Sequence, residues 1–226
     1  ELDPAELKIS LTHYQLQDAP HGQDLNLRWR RSDTTLWFGT YRDTRMGEQS
    51  RAGWEDRWPV LSTTSSGPVA VLSSVQVAAG GFAGGSVSLQ VGQTWWAQAG
   101  IGRTNLRPYV NLNFDPNDAL IFSAGWQIDE MRQISASLIA DDRLGTGQRH
   151  AHLNMRWPLH VPWSSQASRI TLDVLRKTGQ GDSGLVREWG WSATLDQGPW
   201  FGRIARDPKQ NFSAVDAWRF TLGRRF

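Results

Sequence analysis

Apolar and polar residues alternate with a period of two along most of the chain, and little of it shows a helical period. In Leu7-Lys8-Ile9-Ser10-Leu11-Thr12 every odd residue is apolar and every even one polar. The pattern returns at 25–30, 86–91, 109–114, 134–138, 150–157 and 217–222. Successive side chains of a strand point to opposite faces, so each segment makes a strand with one apolar and one polar face. Less regular candidates fill 35–42, 51–58, 69–77, 95–103, 120–128, 169–176, 186–195 and 200–206. Turn formers such as Asp115-Pro116-Asn117-Asp118, Gly179-Gln180-Gly181-Asp182 and Asp196-Gln197-Gly198-Pro199 separate them. Gly80-Gly81-Phe82-Ala83-Gly84-Gly85 lacks the lysine and following helix of a phosphate loop, and reads as a strand connection.

A soluble β-sandwich would alternate in the same way, with one face on a core and one in water. Composition separates the two. Apolar residues are only 39% of the chain, yet it carries 13 Trp and 8 Phe. Several of these, Trp29, Trp37, Trp95, Trp126, Trp157, Trp200 and Trp218, fall near strand ends. Indole rings favour the headgroup level of a bilayer, with the ring half buried and its N–H near water. No apolar run of about 18 residues exists for a membrane helix, so any crossing must use strands. No secretory leader opens the chain at Glu1, which reads as a mature form, a fragment or a protein that is not exported. The absence of cysteine excludes disulfides and thiolate metal sites. A formal charge of +2 is too balanced for a nucleic-acid binder.

The last residues add a second line of argument. Trp218, Phe220, Leu222 and Phe226 fall on one face, with Arg219, Thr221, Gly223 and Arg225 on the other. This resembles the C-terminal strand signal of outer-membrane β-barrel proteins, which ends on an aromatic residue; Arg224 stands where the pattern usually has an apolar one. The resemblance implies a bacterial outer-membrane barrel whose Trp218, Phe220, Leu222 and Phe226 are read by the assembly machinery. The fold expected is a single all-β domain over 1–226, a closed antiparallel up-and-down transmembrane barrel. Such a barrel needs an even number of strands. The pattern yields about 15 candidates, of which 51–58 is the weakest because Trp54 and Trp58 share a face with Asp56. The expectation is about 14 strands, within a range of 12 to 16.

With apolar residues facing lipid, their neighbours face a lumen. The expected lumen and solute-binding residues are Lys8, Arg28, Arg30, Arg42, His150, His152, Arg156, Arg219 and Arg225, with fewer carboxylates among them (Glu55, Asp129, Asp141, Asp173, Glu188). Closure pairs the last strand with the first and brings Arg219 and Arg225 toward Lys8. A basic lumen favours anions, whereas arginines paired with carboxylates would plug a narrow barrel. Those two readings stand side by side. His150 and His152 share a face about 7 Å apart, but a zinc ion needs a third ligand and none stands out. As catalytic groups they need a nucleophile such as Ser135 or Ser137 on the preceding strand.

The function expected is therefore an outer-membrane, porin-like channel for small anionic or sugar-like solutes, with no cofactor. The alternatives are the barrel of a polysaccharide exporter, or an outer-membrane enzyme acting on lipid or lipopolysaccharide. Expected partners are the lipid bilayer and lipopolysaccharide, the assembly machinery, and a small solute or oligosaccharide; nucleic acid is not among them.

Overall fold

The computed structural model describes residues 5–18, 20–44, 47–62, 65, 67–107, 118–161 and 166–226. Its strands are β1 (Glu6–Leu16), β2 (Gly22–Arg31), β3 (Thr34–Asp43), β4 (Gly47–Leu61), β5 (Val69–Ala78), β6 (Phe82–Gly92) and β7 (Trp95–Thr104). They continue as β8 (Ala119–Gln127), β9 (Gln133–Asp141), β10 (Arg149–Leu159), β11 (Ser168–Gly181), β12 (Gly184–Gln197), β13 (Trp200–Asp207) and β14 (Ala217–Arg225). Each pairs antiparallel with its sequence neighbours, and β1 pairs with β14 to close the barrel. The doubted segment 51–58 lies within β4, the longest strand at 15 residues. The segment 109–114 lies outside the described residues, and β7 pairs directly with β8, so the wall closes without it.

Closure fixes which face is wet. On β1, Leu7 and Leu11 point outward, and Lys8, Ser10, Thr12 and Tyr14 point into the lumen. The outer wall is apolar over its full girth: Leu11 is 56% exposed, Val87 47% and Leu153 56%. A soluble protein rarely shows a contiguous apolar surface on this scale, whereas a membrane barrel presents an apolar band to lipid. Aromatic residues edge the band. Trp29, Trp54, Trp58, Trp95, Trp126, Trp157, Trp200 and Phe226 stand toward the end where the chain starts and finishes, here called the terminal end. There Trp95 and Trp126 stack at 4.8 Å. Trp189, Trp191 and Trp218 stand toward the far end, the latter two edge-on at 5.7 Å.

Introducing a charge at mid-band separates membrane wall from soluble sheet. Val87→Arg should destabilise the protein in liposomes by about 2–4 kcal/mol. Gln98→Arg, on the lumen face of β7, should cost well under half of that in the same urea titration. Equal costs at both positions would count against a lipid-facing wall.

Among the described residues two tryptophans face inward. Trp37 on β3 lies over Gly53 of β4, its register partner, and Trp96 on β7 lies over Gly125 of β8. A Cβ at either glycine would overlap the indole, so glycine lets the ring lie flat along the wall instead of crossing the lumen. Phe201 lies over Gly223 in the same way.

Candidate functional site

The lumen wall has two unlike arcs. From β10 through β14 and on to β4 it is charged. Arg51 donates to Asp24 at 2.8 Å, and Arg28 to Glu55 at 3.1 Å. Asp196 accepts from Arg225 at 2.5 Å and from Arg169 at 3.4 Å. Arg203 donates to the Ser192 hydroxyl at 3.0 Å. From β5 to β9 the inward residues are neutral except for Asp141 at the far end of β9, and include Ser74, Ser86, Ser88, Gln90, Gln98, Ser123, Ser135 and Ser137. Ser74 and Ser86 share a hydrogen bond of 2.7 Å between their hydroxyls.

Two cavities lie in the lumen, one between the arcs and one against the charged arc alone. The one at the terminal end, of about 690 Å³, is lined by Lys8, Arg28, Arg30, Arg57, Arg156, Arg169 and Arg225 facing Ser74, Ser86, Ser88 and Gln98. Glu6, Asp33, Glu55 and Asp56 add carboxylates to its lining. The second, of about 310 Å³, reaches further in along β1 and β14, past Asp24, Arg51, Asp196, Arg203 and Arg219. Lys8, Arg28 and Arg225 border both.

The far end is narrowed from within. The β13–β14 connection folds over inward-facing side chains of β10 and β11, and its Phe212 ring stacks on His150 at 5.1 Å. Lys177 of β11 donates to the carbonyls of Pro208 at 2.9 Å and Lys209 at 3.2 Å. It also forms an ion pair with Asp207, both side chains being fully buried. Arg219 approaches the same carboxylate at 3.9 Å. Lys209, Asn211 and Phe212 all have positive φ, a left-handed conformation that is uncommon outside glycine. The connection is thus held in place by its buried contacts.

Of the expected lumen residues, Lys8, Arg28, Arg30, Arg156, Arg219 and Arg225 line the cavities. Lys8 and Arg225 are register partners across the seam, so the end-to-end meeting of cations occurs. His150 and His152 face inward nearer the far end, their rings 6.2 Å apart, and His152 Nδ1 meets Asp173 at 3.1 Å. Ser137 is the register partner of His152, yet among the described residues no hydrogen bond joins them and neither cavity is lined by either. Arg42 is corrected: it stands on the outer face with Leu36 and Phe38, in register with Glu48. Asp129 belongs to the β8–β9 turn, where its hydrogen bond with the Arg132 side chain holds its carboxyl below the usual range. Trp218, Phe220, Leu222 and Phe226 all project outward as expected. Sequence reasoning missed Asp24, Arg51, Arg57, Arg169, Lys177, Asp196 and Asp207.

No family model and no curated protein sequence matches the chain. Solved structures do. The Acinetobacter baumannii outer membrane protein Omp33 superposes with a TM-score of 0.59 at 10% identity, over 98% of both chains. The KdgM porin superposes with a TM-score of 0.50 at 8% identity, over 97% of this chain and 98% of its own. The chain has the fold of an outer-membrane porin. With its apolar outer wall and two aromatic edges, it is an integral outer-membrane barrel. Porin folds carry their longer loops on the extracellular side. The connections that follow β7 and β13 both leave the barrel at the far end. Folded protein should require detergent or lipid and migrate faster on gels before heating than after. A protein that stays folded and monodisperse in plain buffer would contradict the membrane wall.

Proposed function

We propose that the barrel is a diffusion channel of the porin type for small anionic or sugar-like solutes. One observation carries this reading. Lys8, Arg30, Arg57 and Arg156 line the 690 Å³ cavity with no carboxylate within 4.0 Å among the described residues. Counted over the whole lining, seven cations stand against the four carboxylates Glu6, Asp33, Glu55 and Asp56, which leaves a net positive potential over the cavity. The serine-rich arc opposite offers hydroxyls to the polar side of a passing solute. A neighbour in fold, KdgM, is itself called a porin.

The test is single-channel recording in planar bilayers, with reversal potentials in a salt gradient. Wild-type protein should favour chloride over potassium. Because each charge is screened over about 8 Å at physiological ionic strength, single changes should do little. The triple variant Arg30→Ala, Arg57→Ala, Arg156→Ala should move the reversal potential toward cations. An unchanged anion preference would remove these residues from the selectivity wall, and a wild type that never conducts would end the channel assignment.

A further inference from the structure

Outside the lumen, the outer wall carries a cluster of arginines at the far end. Arg149, Thr178 and Arg187 stand in one register row across β10, β11 and β12. Neighbouring strands lie about 4.8 Å apart, which sets Arg149 and Arg187 about 10 Å apart at the backbone. Arg176 lies on the same outer face of β11, two residues from Thr178, its guanidinium 5.1 Å over the Trp189 ring. Arg206 follows nearer the bilayer, in register between Trp191 and Trp218.

Other outer-face arginines toward this end have acidic company. Arg103 bonds Asp142 at 2.5 Å, and Arg42, isolated from other arginines, faces Glu48 as its register partner though without an ion pair within 4.0 Å. Among the described residues Arg149, Arg176, Arg187 and Arg206 have no carboxylate within 4.0 Å. A cluster of like charges just beyond an aromatic belt is unfavourable unless the surroundings provide anions. At that depth the surroundings are lipid headgroups. A guanidinium fork matches phosphate oxygens two at a time, and the Trp189 ring keeps one fork oriented.

We propose that Arg149, Arg176 and Arg187, with Arg206 at the membrane-ward edge, bind the phosphate of a phosphorylated glycolipid in the outer leaflet. The site depends on the barrel standing in an outer membrane with its far end outward, and does not depend on conduction. The probe is bisphosphorylated lipid A, offered to the intact protein in detergent and followed by native mass spectrometry. It should bind at least tenfold more tightly than the same lipid stripped of phosphate. Arg176→Gln with Arg187→Gln should abolish that tenfold difference, and Arg149→Gln with Arg187→Gln, which spares the Trp189 contact, should do the same. Arg42→Gln, on the same face but across the barrel, should retain it. Heat-modifiable migration reports folding of each variant separately, so loss of the barrel is distinguishable from loss of the site. Undiminished preference in both double variants would overturn the proposal. So would effective competition by millimolar sodium phosphate, which would make the patch a general anion site without a lipid ligand.

Discussion

Replacing Lys177 by methionine is expected to destabilise the folded barrel by about 3–5 kcal/mol, the usual cost of leaving a buried charge without its partner. The carboxylate left behind is Asp207, fully buried and otherwise approached only by Arg219 at 3.9 Å among the described residues. The same change removes the two bonds from Lys177 to the carbonyls of the β13–β14 connection, leaving the Asp182 N–H bond to the Phe212 carbonyl at 2.9 Å. Loosened in this way, three residues held in left-handed backbone conformations can relax, and the Phe212 ring can swing off His150. Conductance should therefore rise and become noisier. The double variant Lys177→Met, Asp207→Leu should regain most of the lost stability, because an apolar pair replaces an ionic one at little net cost. It should still show the altered conductance, because the carbonyl contacts stay broken. Urea unfolding in liposomes and bilayer recording read the two effects apart. Stability within about 1 kcal/mol of wild type for the single change would sink the argument.

The second large effect is on assembly. Phe226 exchanges two backbone hydrogen bonds with Leu7, its N–H donating at 2.8 Å and its carbonyl accepting at 3.2 Å. Each such bond contributes about 1 kcal/mol net, so deleting Phe226 should lower the stability of refolded protein by about 2 kcal/mol. In cells the loss should be far greater, with most of the chain missing from the outer membrane. The expectation rests on the resemblance of Trp218, Phe220, Leu222 and Phe226 to the C-terminal signal of outer-membrane barrels. Normal membrane levels of the truncated chain would show that assembly does not read this residue.

Much of the wall was legible because lipid and water impose a strict period of two. Where it was not, particular residues explain why. On β3 aromatic side chains occupy both faces, Trp37 and Tyr41 inside and Phe38 outside, so hydropathy could not set the phase and Arg42 was placed on the wrong side. On β12 the pattern was cut at 195, one residue before Asp196, which anchors two arginines. Asp24 shares its face with Asn26 and Arg28, and one more step of alternation would have reached it. Its partner Arg51 lies 27 positions away, and two hairpin registers intervene that no local pattern specifies. Lys177 on β11 and Asp207 at the end of β13 hold a connection whose path depends on what it packs against, which a strand period cannot express.

The seam between β1 and β14 has a kinetic meaning as well. Every other pairing in the wall joins strands that follow one another, so each can form as a local hairpin. The seam joins residues such as Thr12 and Thr221, whose hydroxyls meet at 2.8 Å across a separation of 209 positions. Loop-closure entropy grows as the logarithm of length. Joining ends about 200 residues apart therefore costs about 3 kcal/mol more than closing a turn of about five. Until that step β1 and β14 are both open edges, each able to pair with another chain. Crowded, unassembled copies of this chain should therefore aggregate through these two strands, and a short peptide matching β14 should intercept the β1 edge before the ring shuts.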